Sequence, residues 1–388
     1  MSTCNKTTIP RGFSRGFNLI ELLMALSLAT IVFMASVSMV VKQSETMTQQ
    51  NDVIDMNREA RFALEHLRQD LTSLGSNSTP HSDIDPLVCP KPNIDLKSIQ
   101  LSVDQGSSSA YVVDSTLNPF VLPVTMRLFG SLDIKTRWHT TSIDTNTVRL
   151  LDEGTFPATQ AAWDATFSSD RYVRLGAADG TMMFFPIASA NFGAKSITVS
   201  GNIPRQTDGQ ACGYLGDGAN YTVDVQNFVR YRIVRDDRPG SPHRTDNLAE
   251  NTLLVRERLG TDGTTLVAQT ILAENAVELG VYDILFDRDP SPQTLKIELK
   301  PVSLDVVQPG GTGLLGSLSD AVPEELRSMT VKLTIRSMWP VKTLVHRQRS
   351  QFFAPLETWK VADDQRGIYP TVTLAGRIAM PTMMSRNL

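Results

Sequence analysis

Glu21 is the residue whose chemistry fits its surroundings least. It is the one charged residue between Phe17 and Val41, a stretch of 25 residues. As a helix this stretch would rise about 37 Å, enough to cross a hydrocarbon core of about 30 Å. A carboxylate inside such a span costs about 2.5–3.5 kcal/mol on insertion scales. Glu21 therefore either snorkels to the membrane interface or has a cationic partner and a function.

The residues before the span are basic. Lys6, Arg11 and Arg15 lie in residues 1–16, which contain no acidic residue. This asymmetry predicts a cytoplasmic N-terminus and export of the rest of the chain. A secretory signal would be cleaved after its apolar run, whereas here the run continues into a helical pattern, so we expect the span to be retained.

Gly16, Phe17 and Glu21, followed by an apolar helix, resemble the processing motif of the type IV prepilins. The resemblance implies that a membrane prepilin peptidase cleaves between Gly16 and Phe17 and that the new terminal amine of Phe17 is methylated. Residues 1–16 would then be the leader. Glu21 would become the fifth mature residue and would dock against the terminal amine of a neighbouring subunit in a filament.

The cysteines predict one disulfide. Of three cysteines, Cys4 lies in the leader, which leaves Cys89 and Cys212 in the exported part. An oxidising periplasm favours a bond between these two. The alternative is a pair of buried free thiols. The sequence has no CxxC motif and its five histidines are scattered, so it predicts no metal site.

Residues 42–74 contain neither Pro nor Gly and predict a continuation of the helix to residue 75. Apolar residues recur at steps of three and four, which places them on one face that should lie against a sheet. Charged residues occupy the other positions, and a coiled coil is the alternative. The apolar face comprises Met56, Ala60, Ala63, Leu64, Leu67, Leu71 and Leu74, and the charged positions are Asp55, Arg58, Glu59, Arg61, Glu65, Arg68 and Asp70.

The remainder of the chain alternates with a period of two and predicts half-buried antiparallel strands. In one of them Val331, Leu333 and Ile335 alternate with Lys332, Thr334 and Arg336, which should face solvent. Thr261–Gly263 predicts a hairpin turn. The predicted strands are Ile99–Val103, Val121–Leu128, Val148–Leu151, Tyr172–Leu175, Met182–Phe185, Ile197–Val199, Tyr221–Ile233, Leu253–Leu259, Leu266–Leu272, Leu295–Leu299 and Val331–Ile335.

This order of elements predicts an α+β protein with a pilin-like architecture: one long N-terminal helix packed on an antiparallel β-sheet head with an inserted lobe. A Cys89–Cys212 bond would close the less regular part of the head into a module. The expected divisions are a leader at 1–16, the helix at 17–75 with a transmembrane segment at 17–41, a loop-rich β lobe at 76–215 and the sheet head at 216–388.

Segments of the second half resemble the PilW-type minor pilins, in which a strand, a leucine-x-arginine strand and an acid-rich turn precede a further strand. The matching segments are Tyr231–Ile233, Asn251–Glu257 and Leu272–Leu279, with Arg386 and Asn387 at the tail. This resemblance implies a minor pilin, present at low copy, that initiates or caps pilus assembly. Its partners would be the prepilin peptidase, the major pilin, other minor pilins, a large tip adhesin and the inner membrane.

No catalytic constellation is recognisable, so we expect neither an enzyme nor a cofactor. Residues 311–316 match GxGxxG, but Pro309 and Pro323 flank them and no strand–turn–helix context is present, which favours a loop. Four aspartates lack the spacing of a calcium loop and favour a solvated surface, while the four tryptophans favour core positions. These residues are Asp283, Asp287, Asp289 and Asp320, and Trp138, Trp163, Trp339 and Trp359.

Two alternative functions remain open. The first is a J-type pseudopilin of type II secretion, which would use the same helix in a short periplasmic filament. The second is a binding module, either a competence pilin that captures DNA or an adhesin. Without the leader the chain has 34 basic and 41 acidic residues, a net charge of −7, which disfavours nucleic acid. A local cluster of Arg230, Arg232, Arg235 and Arg238 keeps DNA capture open.

Overall fold

The computed structural model forms two units, Met1–Ile54 and Asp55–Leu388, which are described separately. The structure describes residues 18–74, 78–79, 81–83, 85–103, 113, 117–118, 121, 124–206, 212–236, 251–287, 299–302, 326–339, 341, 344–349, 354–360 and 368–380.

The predicted long helix is confirmed. Helix α1 is a single 55-residue element, Leu19–Ser73. In the first unit its residues up to Val41 are exposed, and the helix is long and apolar enough to cross a membrane. Phe17 and Gly75, the expected ends of the helix, lie outside the described residues.

In the second unit the predicted apolar face of α1 is buried. Met56, Ala60, Ala63, Leu67 and Leu71 are at most 5% exposed and share one core with residues from two β-sheets. Complete burial of a leucine side chain contributes about 1.5–3 kcal/mol. This packing against sheets, rather than against a second helix, is the arrangement that the apolar face predicts.

Fifteen strands and a short second helix follow α1 in the described residues. They are β1 Ile99–Val103, β2 Val124–Gly130, β3 Arg137–Ile143, β4 Thr147–Leu150, α2 Gln160–Thr166, β5 Tyr172–Gly176, β6 Met182–Asn191, β7 Ser196–Val199, β8 Thr222–Arg235, β9 Thr252–Leu259, β10 Leu266–Glu274, β11 Ala276–Asp287, β12 Leu299–Val302, β13 Leu326–Arg336, β14 Thr358–Lys360 and β15 Ile368–Ala379.

Strand β8 belongs to two substructures of a ten-stranded antiparallel sheet. Its first half, residues 222–226, pairs with β3 and β5, and its second half pairs with β2 and β9. The order β8-β3-β4-β7-β6-β5 returns to β8 and closes a six-stranded barrel. Trp138 and Trp163 are buried in the barrel core, the latter from α2. Strand β8 therefore pairs with strands from both sides of residue 215, the expected boundary between the inserted lobe and the sheet head.

The second sheet has five antiparallel strands in the order β12-β11-β13-β15-β14. Its strand β13 is buried on both faces, so the prediction that Lys332, Thr334 and Arg336 face solvent is wrong. Glu278 of β11 explains the burial of the first two, because it pairs with Lys332 and accepts a hydrogen bond from Thr334. The segment that contains Arg349 also contacts Glu278 on this face.

Other local predictions have mixed outcomes. The Thr261–Gly263 turn is confirmed between β9 and β10, with Gly263 in the left-handed region at a φ of 67°. Trp359 is buried, as are the two barrel tryptophans, but Trp339 is 59% exposed, so its predicted core position is wrong. Residues 295–298 and 311–316 lie outside the described part of the chain.

Candidate functional site

Glu21 lies in the first turn of α1 and its carboxylate is exposed. One oxygen, Oε2, accepts a hydrogen bond from the backbone N–H of Asn18 at 3.3 Å. This bond satisfies a free amide of the helix N-terminus, where a negative charge is also favoured by the helix dipole. The other carboxylate oxygen can accept from a donor on another chain. Gly16 and Phe17 lie outside the described residues.

The surface around Glu21 is suited to an apolar environment. Leu19, Leu23, Ile31 and Phe33 are each at least 60% exposed. Three hydroxyl groups in this stretch are satisfied within the helix, which suits lipid or an apolar protein interface. Ser27, Thr30 and Ser36 donate to backbone carbonyls of the preceding turn at 2.8–2.9 Å.

Asp70 joins α1 to the head, a role that the sequence analysis missed. Although it was expected on the charged face, it is only 6% exposed. Its Oδ2 accepts hydrogen bonds from the Tyr231 hydroxyl at 2.6 Å and from Arg256 Nε at 2.8 Å. Asp70 lies three residues after Leu67 and four before Leu74, so the spacing of the apolar face already included it.

An ionic chain continues from Asp70 towards the barrel. Arg256 Nη2 lies 2.6 Å from Asp133 Oδ1, and Asp133 Oδ2 lies 3.6 Å from Arg171 Nη2. Burial alone would lower the pKa of Arg256, but Asp70 and Asp133 outweigh burial and raise it. Burial and Asp70 also raise the pKa of Tyr231 well above its usual value. Four residues, Asp70 of α1, Arg256 of β9, Asp133 of the β2–β3 loop and Arg171 just before β5, are thus linked by alternating charges.

Cys89 and Cys212 form a disulfide, as the sequence predicts, with their Cα atoms 5.2 Å apart. The strand-like segment before the bond is held on the barrel. The N–H of Cys89 donates to the carbonyl of Met182 at 3.0 Å, and the N–H of Met182 donates to Leu87 at 2.7 Å. The bond closes a segment of 123 residues that contains most of the barrel strands.

The arginine cluster proposed as a DNA contact is partly neutralised by one carboxylate. Arg230 Nε and Arg232 Nε lie 2.6 and 3.0 Å from Oε2 of Glu257, which is buried. Arg235 is exposed, and Arg238 lies outside the described residues. Because two of the four cations already pair with a carboxylate, the cluster offers less attraction to phosphate than its sequence suggests.

Glu278 is the centre of a second buried ionic cluster. Arg349 donates to its two carboxylate oxygens at 2.7 and 2.8 Å, and Lys332 Nζ lies 3.0 Å from Oε1. One carboxylate therefore faces two cations. Burial lowers the pKa of Lys332 despite the nearby carboxylate. The three charged groups are buried and satisfy one another on a face of the second sheet.

One group with metal-ligand chemistry occurs among the described residues. His81, Asp83 and Asp95 place ligand atoms within 4.8 Å of one another. His81 Nε2 lies 2.9 Å from Asp95 Oδ2, and the Lys97 ammonium lies 3.2 Å from the same oxygen. The lysine already supplies the positive charge that a cation would bring. Of the four aspartates considered for calcium, Asp289 and Asp320 lie outside the described residues.

No protein-family model, curated protein or solved structure matches this chain. The function is therefore inferred from α1, its carboxylate and the head that α1 carries.

Proposed function

We propose that this protein is a minor pilin of a type IV pilus. The observation that carries the proposal is the first part of α1, an exposed apolar helix with one carboxylate, Glu21, in its first turn. Prepilin peptidase would cleave after Gly16, and Phe17 would be methylated. The protein would wait in the bacterial inner membrane, with its head in the periplasm, and then enter the filament.

The helix can move between these environments at little hydrophobic cost. In lipid its side chains contact acyl chains, and in a filament core the apolar helices of the major pilin and other minor pilins replace them. The hydroxyl groups of Ser27, Thr30 and Ser36 donate hydrogen bonds within the helix, which suits both lipid and the filament core. Glu21 favours the filament, because the terminal amine of a neighbouring subunit satisfies a charge that lipid leaves unpaired.

The head supports a role at low copy number. In the proposed arrangement the sheets that pack on Met56–Leu71 form the pilin-like head, and the six-stranded barrel is the inserted lobe. Repeating so large a head along a regular filament would crowd neighbouring subunits. We therefore place the protein at the start or tip of the pilus, where it would contact other minor pilins and a large tip adhesin. No enzymatic activity or cofactor is proposed.

The alternatives differ in what supports them. A J-type pseudopilin would need the same helix and the same Glu21, so only the filament that contains the protein separates the two. DNA capture has weaker support, because Glu257 already pairs with Arg230 and Arg232.

The test is to follow an epitope-tagged chain into sheared pili, in cells with and without the major pilin. We expect the tag in the sheared fraction only when the major pilin is present, with methylated Phe17 as the N-terminus by mass spectrometry. Gly16→Leu should block processing and leave the protein in the membrane. Gly12→Leu, four residues earlier in the leader, is the matched control and should be processed normally.

Recovery of an intact Met1 or Ser2 terminus from assembled protein would contradict the proposed processing. Normal piliation combined with lost protein secretion in a deletion strain would favour the pseudopilin instead.

A further inference from the structure

Three aromatic rings of the barrel surround the ammonium group of Lys195. The Nζ atom lies 3.5 Å from the ring centroid of Phe192, 5.3 Å from that of Trp163 and 5.5 Å from that of Phe156. Trp163 belongs to α2, Phe156 precedes this helix, and Phe192 and Lys195 lie in the turn between β6 and β7. The rings also contact one another, at centroid distances of 5.3 Å for Phe156–Trp163 and 5.8 Å for Trp163–Phe192. We call these three residues the aromatic cage.

The aromatic cage contacts the Lys195 ammonium group, which has no carboxylate partner among the described residues. Lys195 takes part in no ion pair within the described residues, and its side chain is half-buried. The negative faces of aromatic rings attract cations within about 6 Å of the centroid. The attraction to the ring faces is thus the main electrostatic contact of this ammonium group.

The turn fixes the backbone of Lys195 but does not require a lysine. Its φ of 48° is in the left-handed region, which Gly and Asn adopt more readily. Its carbonyl accepts from Leu150 N–H at 2.9 Å, and its own N–H donates to the carbonyl of Phe192 at 3.3 Å. Because these bonds involve only the backbone, the four-carbon side chain can leave the cage without breaking them.

We propose that the aromatic cage is a binding site for alkylated ammonium groups and that Lys195 fills it in the free protein. A primary ammonium is strongly hydrated. A trimethylammonium group carries the same charge with a weaker hydration shell, and an aromatic cage is the arrangement by which proteins recognise it. Phe156 and Phe192 are partly exposed, so the site is open to solvent once Lys195 leaves. This site is separate from α1 and does not depend on the proposed assembly role.

The test is a titration of the full chain, in dodecyl maltoside micelles, with choline chloride. Incorporated 5-fluorotryptophan reports on the four tryptophans, and Trp163→Phe assigns the Trp163 signal in ¹⁹F spectra. Lys195→Ala should bind choline about tenfold more tightly than wild type, because a site that its own lysine occupies most of the time has a proportionally weaker apparent affinity. Adding Phe192→Ala to Lys195→Ala should reverse most of this gain.

The neutral isostere 3,3-dimethylbutan-1-ol separates cation recognition from simple cavity filling. It has the shape of choline without the charge, and we expect it to shift the Trp163 signal far less. Equal binding of the two ligands, or equal choline affinity of wild type and Lys195→Ala, would overturn the proposal. Unchanged signals of Trp339 and Trp359, which lie outside the barrel, verify the fold. Should Lys195→Ala unfold, the comparison of choline with its isostere on wild type still decides the question.

Discussion

Asp70 of α1 and Arg256 of β9 meet through carboxylate Oδ2 and guanidinium Nε at 2.8 Å, and the Tyr231 hydroxyl donates to the same oxygen. This contact joins the C-terminal part of α1 to the ten-stranded sheet of the head. Removing one partner of a buried ion pair costs more than the pair contributes, because the other charge stays buried.

We therefore expect Asp70→Asn to lower the free energy of unfolding of the head by about 3 kcal/mol. The control is Asp55→Asn, the same substitution at an exposed position of α1, and it should have little effect. Urea unfolding followed by tryptophan fluorescence measures both. Equal stability of the two variants would show that the Asp70 contact does not hold the helix on the head.

The Glu278 cluster gives a prediction with opposite outcomes for its two cations. Arg349→Met should destabilise the head by about 3–5 kcal/mol, since it removes a bidentate partner of a buried carboxylate. Lys332→Met should be neutral or stabilising, because burial already disfavours the charged lysine, as its lowered pKa indicates. Thermal unfolding of the two variants provides the comparison, and a larger loss from Lys332→Met would contradict this account.

The raised pKa of Tyr172 predicts that the folded protein loses stability at high pH. Burial, with a contribution from Asp262, raises its pKa to about 12 from 10.0, and its hydroxyl donates to the carbonyl of Thr261 at 2.9 Å. An acid whose pKa is raised by folding contributes stability below its unfolded pKa and loses this contribution as the pH approaches the folded value. Between pH 9.5 and 11.5 the wild type should lose about 2 kcal/mol more than Tyr172→Phe. Parallel pH profiles of the two proteins would refute the assignment.

Much of the fold follows from local patterns in the sequence. The apolar steps from Met56 to Leu74 predict the buried face of α1, and the alternation in Tyr221–Ile233 predicts β8. What alternation cannot show is which strands meet. The closure of the barrel on the first half of β8 depends on pairings between strands far apart in sequence, and β3, β11 and β15 lack a pattern clear enough to have been predicted.

Sequence patterns also fail to predict which polar residues are buried in the core. Lys332 and Thr334 occupy positions that alternation assigns to solvent, and Asp70 is a charged residue at a position on the apolar face of α1. Each is buried because a partner of complementary charge or hydrogen-bonding capacity lies opposite. Such partners come from distant elements, so single-segment patterns miss them. For the candidate site, the sequence identified Glu21 and the disulfide, whereas Asp70 and the aromatic cage required the three-dimensional arrangement.

The Cys89–Cys212 disulfide predicts a local effect on the barrel. Closing a loop of this length stabilises by about 4–5 kcal/mol in the chain-entropy model. Cys89→Ser should therefore increase amide hydrogen exchange in β4 and β7 more than in β13, which lies outside the closed segment. Non-reducing peptide mapping supplies the complementary check. Recovery of both cysteines as alkylated free thiols from the purified protein would be incompatible with the bond.

Substitution of Glu21 distinguishes a filament subunit from a simple membrane anchor. For an anchor, Glu21→Leu would leave function unchanged or improve membrane insertion, because it removes a penalty of about 2.5–3.5 kcal/mol. For a filament subunit, the same change deletes the group that a neighbouring terminal amine needs. We expect normal cleavage and normal membrane levels but a smaller amount of protein in sheared filaments and fewer pili.

Two further variants make this comparison specific. Glu21→Asp should be intermediate, because the charge remains while its reach shortens by one methylene group. Glu45→Leu removes another exposed acid of α1 beyond the apolar span and should assemble normally. Quantitative immunoblots of membrane and sheared fractions measure all three. If Glu21→Leu enters filaments and supports piliation as wild type does, the carboxylate has no part in docking, and the protein is better described as a periplasmic head on a membrane tether.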